Sequence, residues 1–497
     1  MKKNTLLLML IFIAVLAFRL IISFKSPVFS YDSYFHLSQI ESITRTGFPV
    51  FHDILSYGGR TLIFMPLFHY ILAFFNLFLP LTIVAKIIPN LLASSTVFAI
   101  YLITDKITKK PKAALFAALV AGFIPIFIFQ TINSISPLSL AIPMMFFILY
   151  SLMKINQKKF LYSFLILSTA LIFVSPISIL LVFGMLFYLI LIKLEKFNQK
   201  RTELETILFI TFLAFWIYFL LFKKIFLFHG PAIIWQNIPS NLAHLYFSNI
   251  GLLEAVFGIG LLPFLLGIYM VYRYIFIKRD RHIYLLIGFI ISTTILLWLK
   301  LISTELGLVL IGVTFVILFG QFFNLFGKYI EKTRFVSFRF FILLAFILLI
   351  IITSILPSYY FANTAIRESV PESTAKALNW LKYNTEDNAT VAGSVKEGHL
   401  ITAIAQKPNI ADFNFVLIND LDERLDDLET IYSALPYKTQ SIEVLNKYNV
   451  KYILFTDQIK NEYNIDEIRY IDDQKCFKLI YNQEAKIYKS LCEVEEH

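Results

Sequence analysis

The sequence predicts a polytopic α-helical membrane protein of about eleven spans, followed by a C-terminal extracytoplasmic α/β domain. Of the 497 residues, 58% are hydrophobic and only 16% are charged. Apolar runs recur near the length needed to cross about 30 Å of hydrocarbon. Eleven of the 34 acidic residues precede residue 358, and the other 23 lie in the last 140 residues. We therefore expect a membrane domain at residues 1–357 and a soluble domain at residues 358–497.

The first apolar run resembles a signal peptide, because Met1, Lys2 and Lys3 precede it. No small-residue cleavage site follows, so we expect an uncleaved first helix. The expected spans are 5–24, 86–104, 113–130, 138–154, 160–173, 178–193, 206–222, 251–276, 284–299, 308–326 and 340–357. The chain should therefore reside in the cell membrane as a multi-pass protein.

The loops between these runs predict the orientation of the chain. Five of them are rich in Lys and Arg and should face the cytoplasm. These loops are 105–112, 154–159, 193–201, 278–281 and 328–339. With Met1 inside, eleven spans place the C-terminal domain and the loop after the first span outside. The net charge of +10 thus reflects topology, and no nucleic-acid partner is expected.

One apolar run, Thr61–Pro80, does not fit as a span, because crossing would reverse the side of every later loop. Its Pro66 and His69 also weaken a simple lipid-facing helix. We interpret it as a re-entrant or interfacial segment of the first external loop. The alternative is a twelfth span that breaks the charge rule.

The last 140 residues carry patterns of both helix and strand. Helical spacing predicts helices at 371–382, 398–406 and 421–434. Strands are predicted at 390–393 and 450–455, and a terminal meander at 467–471, 476–480 and 485–488. Interleaved helices and strands suggest a small α/β sandwich. Its two cysteines, Cys476 and Cys492, are expected to be unpaired thiols, with a disulfide as the alternative in an oxidising compartment.

Acidic residues near a bilayer are costly and therefore mark candidate functional sites. Asp32 follows the first span, and in a helix it would share one face with His36 at i, i+4. Its carboxylate could deprotonate an acceptor hydroxyl or bind a divalent cation. The alternative is a helix N-cap, which Asp also favours.

Three further residues on the outer side could complete such a site. Glu305 lies in a short outer loop and could approach Asp32 to form an oxygen-ligand site for Mg²⁺ or Mn²⁺. Its alternative is a solvated turn residue. Arg60 and Lys300 are outer-side cations able to bind a phosphate.

These patterns resemble the GT-C superfamily of membrane glycosyltransferases, and most closely the archaeal and bacterial catalytic subunits of oligosaccharyltransferase. Asp32 and His36 match the family's Asp-x-x-x-His segment after the first span. Glu305 in Ser-Thr-Glu is similar to the external-loop glutamate of the family's active site. Residues 398–405 with 410–412 look like the segment around the acceptor-peptide motif, which implies a substrate-binding role for His399.

The sequence departs from this family at two places. The Trp-Trp-Asp-Tyr-Gly motif, which binds the glycosylation sequon, is replaced by Ser-Val-Lys-Glu-Gly at 394–398. In the family, the second external loop carries acidic metal ligands, whereas the corresponding residues 130–138 here include no acidic residue. Asp32 and Glu305 would therefore have to bind a metal without these ligands.

The resemblance therefore implies a hexosyltransferase-type GT-C enzyme. It would transfer a sugar from a polyprenyl-phosphate-linked donor to an extracytoplasmic glycan, lipid or protein acceptor. Asp32 would act as general base or metal ligand, with His36 and Glu305 beside it, while Arg60 and Lys300 stabilise the departing phosphate. The alternatives are an oligosaccharyltransferase with an altered acceptor site, and a transporter or lipid flippase with an external domain.

Overall fold

The computed structural model of the chain describes residues 2–234, 238–239, 242, 250–333, 337–433 and 438–493. It divides into two compact units. Unit 1 comprises Met1–Lys25, Met65–Lys223 and Leu242–Arg367. Unit 2 comprises Ser26–Phe64, Lys224–Asn241 and Glu368–His497.

Unit 1 is built from helices, and each of the eleven predicted spans falls on one or two of them. The helices are Lys2–Ser23, Leu67–Asn76, Leu81–Ser94, Thr96–Thr108, Pro111–Ala121, Pro125–Thr131, Leu138–Met153, Lys158–Val174, Ser178–Leu194, Arg201–His229, Leu252–Ile259, Leu261–Phe276, Arg281–Trp298, Thr304–Lys332, Arg339–Ile350 and Leu356–Arg367. The C-terminal end of Arg201–His229, from Lys224 onward, belongs to unit 2. A π-helical turn at Ile351–Ile355 joins the last two helices.

By length and composition, six of the described helical segments could cross a membrane. Two bent helix pairs raise that number to eight. The helices Leu138–Met153 and Ser178–Leu194 are apolar but contain only 16 and 17 residues. Seventeen residues rise about 25 Å, which is at the low end of the spanning length. A count of eleven spans therefore stays a prediction.

The second bent pair turns through 91° between Leu252–Ile259 and Leu261–Phe276. The residue at the break is Gly260, whose φ is +100°, a backbone conformation that residues other than glycine rarely adopt. The disputed run at residues 61–80 contains a helix of only ten residues, Leu67–Asn76. Such a helix is about 15 Å long and too short to cross alone, in line with the expected non-spanning segment.

Small residues let two helices of unit 1 approach closely. A Cβ added to Gly288 would lie 2.9 Å from the backbone nitrogen of Tyr188 and 3.1 Å from the carbonyl oxygen of Gly184. A Cβ on Gly184 would lie 2.6 Å from the ring of Phe289. The helices Ser178–Leu194 and Arg281–Trp298 therefore pack with their backbones nearly in contact, as small residues permit in membrane helix pairs.

Unit 2 contains a two-stranded hairpin and a four-stranded sheet. The hairpin pairs β1 (His52–Asp53) with β2 (Arg60–Thr61). The sheet consists of β3 (Thr390–Ala392), β4 (Val450–Phe455), β5 (Phe477–Asn482) and β6 (Lys486–Ser490). The strand order is β3-β4-β6-β5, in which β3 is parallel to β4 and the other pairs are antiparallel. The helices are Ser33–Thr46, Glu372–Asn384, Gly398–Leu400 with a π-helical turn at Ile401–Ala405, Leu421–Ile431, Lys438–Lys447 and Asp457–Tyr463.

Most predicted elements of the soluble domain are confirmed, and one strand is wrong. Residues 467–471 were expected in the terminal meander, but Arg469–Asp472 form a 3₁₀ turn. Tyr470 and Ile471 are consecutive and both buried, and the Tyr470 hydroxyl donates to the carbonyl of Ile431. The tyrosine anchor replaces strand pairing at this point.

The expectation of two free thiols is also wrong. Cys476 and Cys492 form a disulfide, with their Cα atoms 4.7 Å apart. Cys476 precedes β5 and Cys492 follows β6, so the antiparallel register of these strands brings the two side chains together. The disulfide fastens the end of the last strand to the start of its neighbour.

The unit boundary differs from the expected boundary after Pro357, because residues 26–64 and 224–241 group with the C-terminal residues. Within unit 2, Asn409 donates its backbone N–H to the carbonyl of Leu55 and accepts from Tyr57. Val370 donates to the carbonyl of Phe29. These bonds attach residues 26–64 to the C-terminal sheet region.

Candidate active site

The segment that follows the first expected span forms a helix, Ser33–Thr46. Asp32 occupies its N-cap position with helical backbone angles, φ −63° and ψ −23°. Asp32 and His36 are therefore one helical turn apart on the same face. Further along this face, Ile40 and Ile43 are buried. The helix packs against Ile401–Ala405 of the same unit.

The carboxylate of Asp32 is not used as a helix cap. It accepts no capping hydrogen bond, and no hydrogen bond or ion pair joins it to any residue in the described part of the chain. The side chain is exposed, yet crowding by protein raises the pKa of Asp32, while the charges of His399 and Lys396 partly oppose that rise. An accessible carboxylate with a raised pKa is suited to accepting a proton.

His399 stands beside Asp32 and is held by its own partners. Its Nδ1 lies 3.6 Å from a carboxylate oxygen of Asp412, and its Nε2 lies 3.3 Å from the side-chain nitrogen of Asn414. Its ring is 5.3 Å from that of Phe35. A carboxylate beside Nδ1 favours a proton on that nitrogen and thereby orients the imidazole ring.

Arg60 was expected to bind a phosphate, but its guanidinium is already occupied. Two of its nitrogens each lie 2.5 Å from a carboxylate oxygen of Asp412. It also donates to Asp53 at 2.8 Å and to the carbonyl of Asn414 at 3.0 Å. Arg60 is only 5% exposed. A forked, buried ion pair of this kind positions β2 on the segment around Asp412, so we assign Arg60 a structural role.

The same ion pair fixes the charge of Asp412. Burial would raise the pKa of Asp412, but the charges of His399 and Arg60 and hydrogen bonds from Arg60 and Asn409 hold that pKa well below its usual range. Asp412 is therefore a permanent anion behind His399, and its role is to orient the imidazole.

A groove of about 450 Å³ opens next to these residues within unit 2. One wall is the helix Ser33–Thr46, another is the β1–β2 hairpin, and the third is the segment 399–406. Polar and aromatic side chains line it together, including Phe35, Gln39, Asp53, His399, Thr402 and Gln406. Amides, carboxylates and rings in one concavity suit a polar ligand with some apolar faces.

Glu397 belongs to the segment that stands where the resemblance places the sequon motif. It is fully buried and accepts hydrogen bonds from Thr456 at 2.6 Å and from the backbone and hydroxyl of Ser394. Burial raises the pKa of Glu397 to about 7 despite these bonds. The segment is therefore held by an internal capping box, with Glu397 facing inward.

Glu305 and Lys300 belong to unit 1. Glu305 was expected in the loop, but it lies in the first turn of the helix Thr304–Lys332, which Ser303 caps through the backbone N–H of Leu306. A carboxylate in this position is stabilised by the helix dipole, which favours a structural role. The expected approach of Glu305 to Asp32 and the phosphate contact of Lys300 stay predictions, because these residues and Asp32 belong to different units.

The metal site also stays a prediction. Within the described residues, no group of three or more His, Cys, Asp or Glu side chains could hold a metal ion.

Sequence reasoning missed a buried cationic cluster in unit 1. Arg19 is 1% exposed and donates to Asn90 at 3.0 Å and to Thr131 at 2.5 Å. Lys86 is 5% exposed and donates to Asn133. Lys86 and Asn90 share a helix face at i, i+4, a pattern that could have revealed the cluster. Buried cations in a membrane domain are candidate functional residues.

The sequence comparisons give one weak match. No family model matches the chain. The dolichyl-phosphooligosaccharide-protein glycotransferase 2 of Archaeoglobus fulgidus is 30% identical over 141 residues. This match covers 26% of the present chain and 24% of that relative.

The comparisons with solved structures cover most of the chain. The oligosaccharyltransferase of Archaeoglobus fulgidus in the apo form gives a TM-score of 0.67 at 15% identity, over 90% of this chain and 70% of that one. AglB from the same organism, solved with an inhibitory peptide and a dolichol-phosphate, gives 0.65 at 15% identity over 89% and 69%. ArnT from Cupriavidus metallidurans bound to undecaprenyl phosphate gives 0.59 at 12% identity over 97% and 99%.

The chain spans about 70% of the length of the two archaeal structures and 99% of the length of ArnT. The resemblance to GT-C glycosyltransferases is therefore confirmed at the level of the fold: the chain has the fold of the GT-C membrane glycosyltransferases.

Proposed function

We propose that the chain is a membrane glycosyltransferase that transfers a sugar from a polyprenyl-phosphate-linked donor to a hydroxyl or amide acceptor outside the membrane. The observation that carries this proposal is the carboxylate of Asp32. It is accessible, unbonded in the described part of the chain, and set beside His399 in unit 2. Its raised pKa brings its proton affinity closer to that of a working general base at neutral pH.

In this mechanism Asp32 removes the proton of the acceptor as the acceptor attacks the anomeric carbon. The bond between that carbon and the phosphate oxygen breaks, and its electron pair stays on the polyprenyl phosphate. Lys300 is proposed to stabilise the phosphate charge as it develops. His399, oriented by Asp412, and His36, one turn from Asp32, are proposed to hold the acceptor.

The lipid nature of the donor is supported by two neighbours. Archaeal AglB was solved with a dolichol-phosphate and ArnT with undecaprenyl phosphate. A donor on a lipid carrier also accounts for a transferase built largely from apolar helices, because the reacting phosphate then lies at the membrane surface.

The test is transfer of radiolabelled hexose from dolichyl-phosphate and undecaprenyl-phosphate donors to a panel of glycan, lipid and peptide acceptors. Asp32→Asn keeps the shape of the side chain and removes the base, so we expect transfer to fall by at least 100-fold. Asp420→Asn, a carboxylate of unit 2 outside the groove, is the matched control. Normal transfer by Asp32→Asn would overturn the proposal.

A second candidate is an oligosaccharyltransferase that modifies protein. The specific observation in its favour is the match with the archaeal dolichyl-phosphooligosaccharide-protein glycotransferase 2. Incubation with a sequon peptide and a lipid-linked oligosaccharide separates the two candidates, because only the second yields glycopeptide. No observation of the described residues favours the transporter or flippase.

A further inference from the structure

A second pocket is lined entirely by residues of unit 1. It has a volume of about 230 Å³. The side chains that define it are Lys106, Lys200, Arg281, His282, Tyr188 and Glu203. We call it the basic-loop pocket, because its cations come from the loops expected to face the cytoplasm.

Four of the five basic loops contribute to this pocket. Lys106 comes from 105–112, Asn156 from 154–159, Lys200 from 193–201 and Arg281 from 278–281. Loops far apart in the sequence thus meet at one end of unit 1, as the charge rule requires of loops on the same side of a membrane. This convergence concentrates positive charge around a single cavity.

The floor of the pocket is rigid. Arg281 donates to the Tyr188 hydroxyl at 3.0 Å and to the carbonyl of Asn198 at 3.2 Å, and it pairs with Glu203. Tyr188 in turn donates to Glu203 at 2.7 Å. Glu203 is 4% exposed, and Arg281 neutralises its charge inside the protein. This network leaves the two lysines to set the charge of the pocket.

The side-chain ammonium groups of Lys106 and Lys200 have no hydrogen bond or ion pair to a described residue, although both side chains line the cavity. Two ammonium groups facing a small polar cavity, over an arginine fixed in place, form a cradle for a compact dianion or a diester anion. Basic pockets between membrane helices on the cytoplasmic side bind anionic head groups.

We propose that the basic-loop pocket is a binding site for a phosphate group, carried by an anionic lipid or free in solution. The site does not rest on the transferase activity, and its test requires none. Lys106 and Lys200 contact the phosphate oxygens, while Tyr188 and Glu203 act by positioning Arg281.

The test uses the full-length protein in phosphatidylcholine nanodiscs, titrated separately with dioctanoyl-phosphatidylglycerol and with inorganic phosphate. Lys106→Gln with Lys200→Gln removes two positive charges from the pocket without touching the Arg281 network. Lys110→Gln with Lys112→Gln is the matched control, because both lysines are exposed in one of the same loops and do not line the cavity.

We expect the pocket variant to weaken binding at least tenfold and the control to stay within twofold of the wild type. Binding of the lipid alone identifies a head group as the ligand, and equal binding of both probes identifies the phosphate itself. Absence of binding by either probe, or an equal loss in both double variants, overturns the proposal, because nonspecific attraction to basic loops would then account for the charge.

Discussion

The guanidinium of Arg60 and the carboxylate of Asp412 form a forked ion pair, with two nitrogen–oxygen distances of 2.5 Å across 352 residues of sequence. The pair joins the β1–β2 hairpin to the C-terminal part of unit 2. Neither side chain is more than 2% exposed. It therefore fixes both the hairpin wall of the groove and the anion behind His399.

Breaking this pair should destabilise the protein strongly. Asp412→Asn leaves the Arg60 charge buried with Asp53 as its remaining acidic partner, and removal of one partner of a buried pair costs about 3–5 kcal/mol. We expect a clear fall in the midpoint of thermal unfolding in detergent. Glu41→Gln, at the exposed pair with Arg45, should change stability by less than about 1 kcal/mol. Equal losses of stability in the two variants would show that the buried pair contributes no more to stability than the exposed pair.

Glu397 should make stability depend on pH. Its pKa is about 7 in the folded protein, against 4.5 as the ordinary value, so the folded state holds the proton more tightly. Its contribution to stability is fully present below about pH 4.5 and is lost as the pH rises through 7, on the order of 3 kcal/mol in total. Glu397→Gln should flatten this part of the unfolding profile between pH 5 and 8. A slope unchanged by the substitution would contradict the assignment.

The disulfide should stabilise unit 2 by limiting its unfolded states. Cys476 and Cys492 are 16 residues apart, and closing a loop of this size contributes about 3 kcal/mol in the chain-entropy model. We expect dithiothreitol to lower the midpoint of thermal unfolding of the wild type. The double variant Cys476→Ser with Cys492→Ser should unfold at that lower midpoint and should not respond to the reductant. A reductant effect on the double variant would point to another cause.

Filling the groove should weaken binding of the acceptor and leave binding of the donor unchanged. Ala403 lines the groove from the π-helical turn, so Ala403→Trp places a large ring inside it. With the acceptor found by the transfer assay, we expect KM to rise at least tenfold while donor binding is kept. Asp426→Trp, an exposed position outside the groove, is the control. A KM unchanged by Ala403→Trp would move the acceptor site elsewhere.

The helix that carries Asp32 could be predicted from the sequence because its information is local. Asp and Ser occur at its start, and apolar residues recur at helical spacing through Ile40 and Ile43. The span helices were likewise visible as apolar runs. The sequence could not show whether the Asp32 carboxylate caps the helix or stays available for a ligand. Both cases place the same residue at the same position, and only the hydrogen bonds distinguish them.

Long-range partners were beyond sequence reasoning for a different reason. Nothing near Arg60 indicates that Asp412 neutralises it, so an arginine on the outer side was assigned to a phosphate. The disulfide between the two cysteines could not be predicted for a similar reason. Its formation depends on the register of β5 and β6, which the sequence separation of the cysteines does not reveal. Near-alternation at 467–471 predicted a strand, but the burial of consecutive side chains in the 3₁₀ turn is set by tertiary contacts.

The contact of Gly184 and Gly288 has a mechanical consequence for unit 1. Their two helices also carry Tyr188 and Arg281, which are hydrogen-bonded to each other in the basic-loop pocket. With backbones this close, sliding or tilting one helix against the other would bring their main chains into collision, so we expect the pair to move as one body. The Tyr188–Arg281 contact would then persist through any motion of the other helices of unit 1.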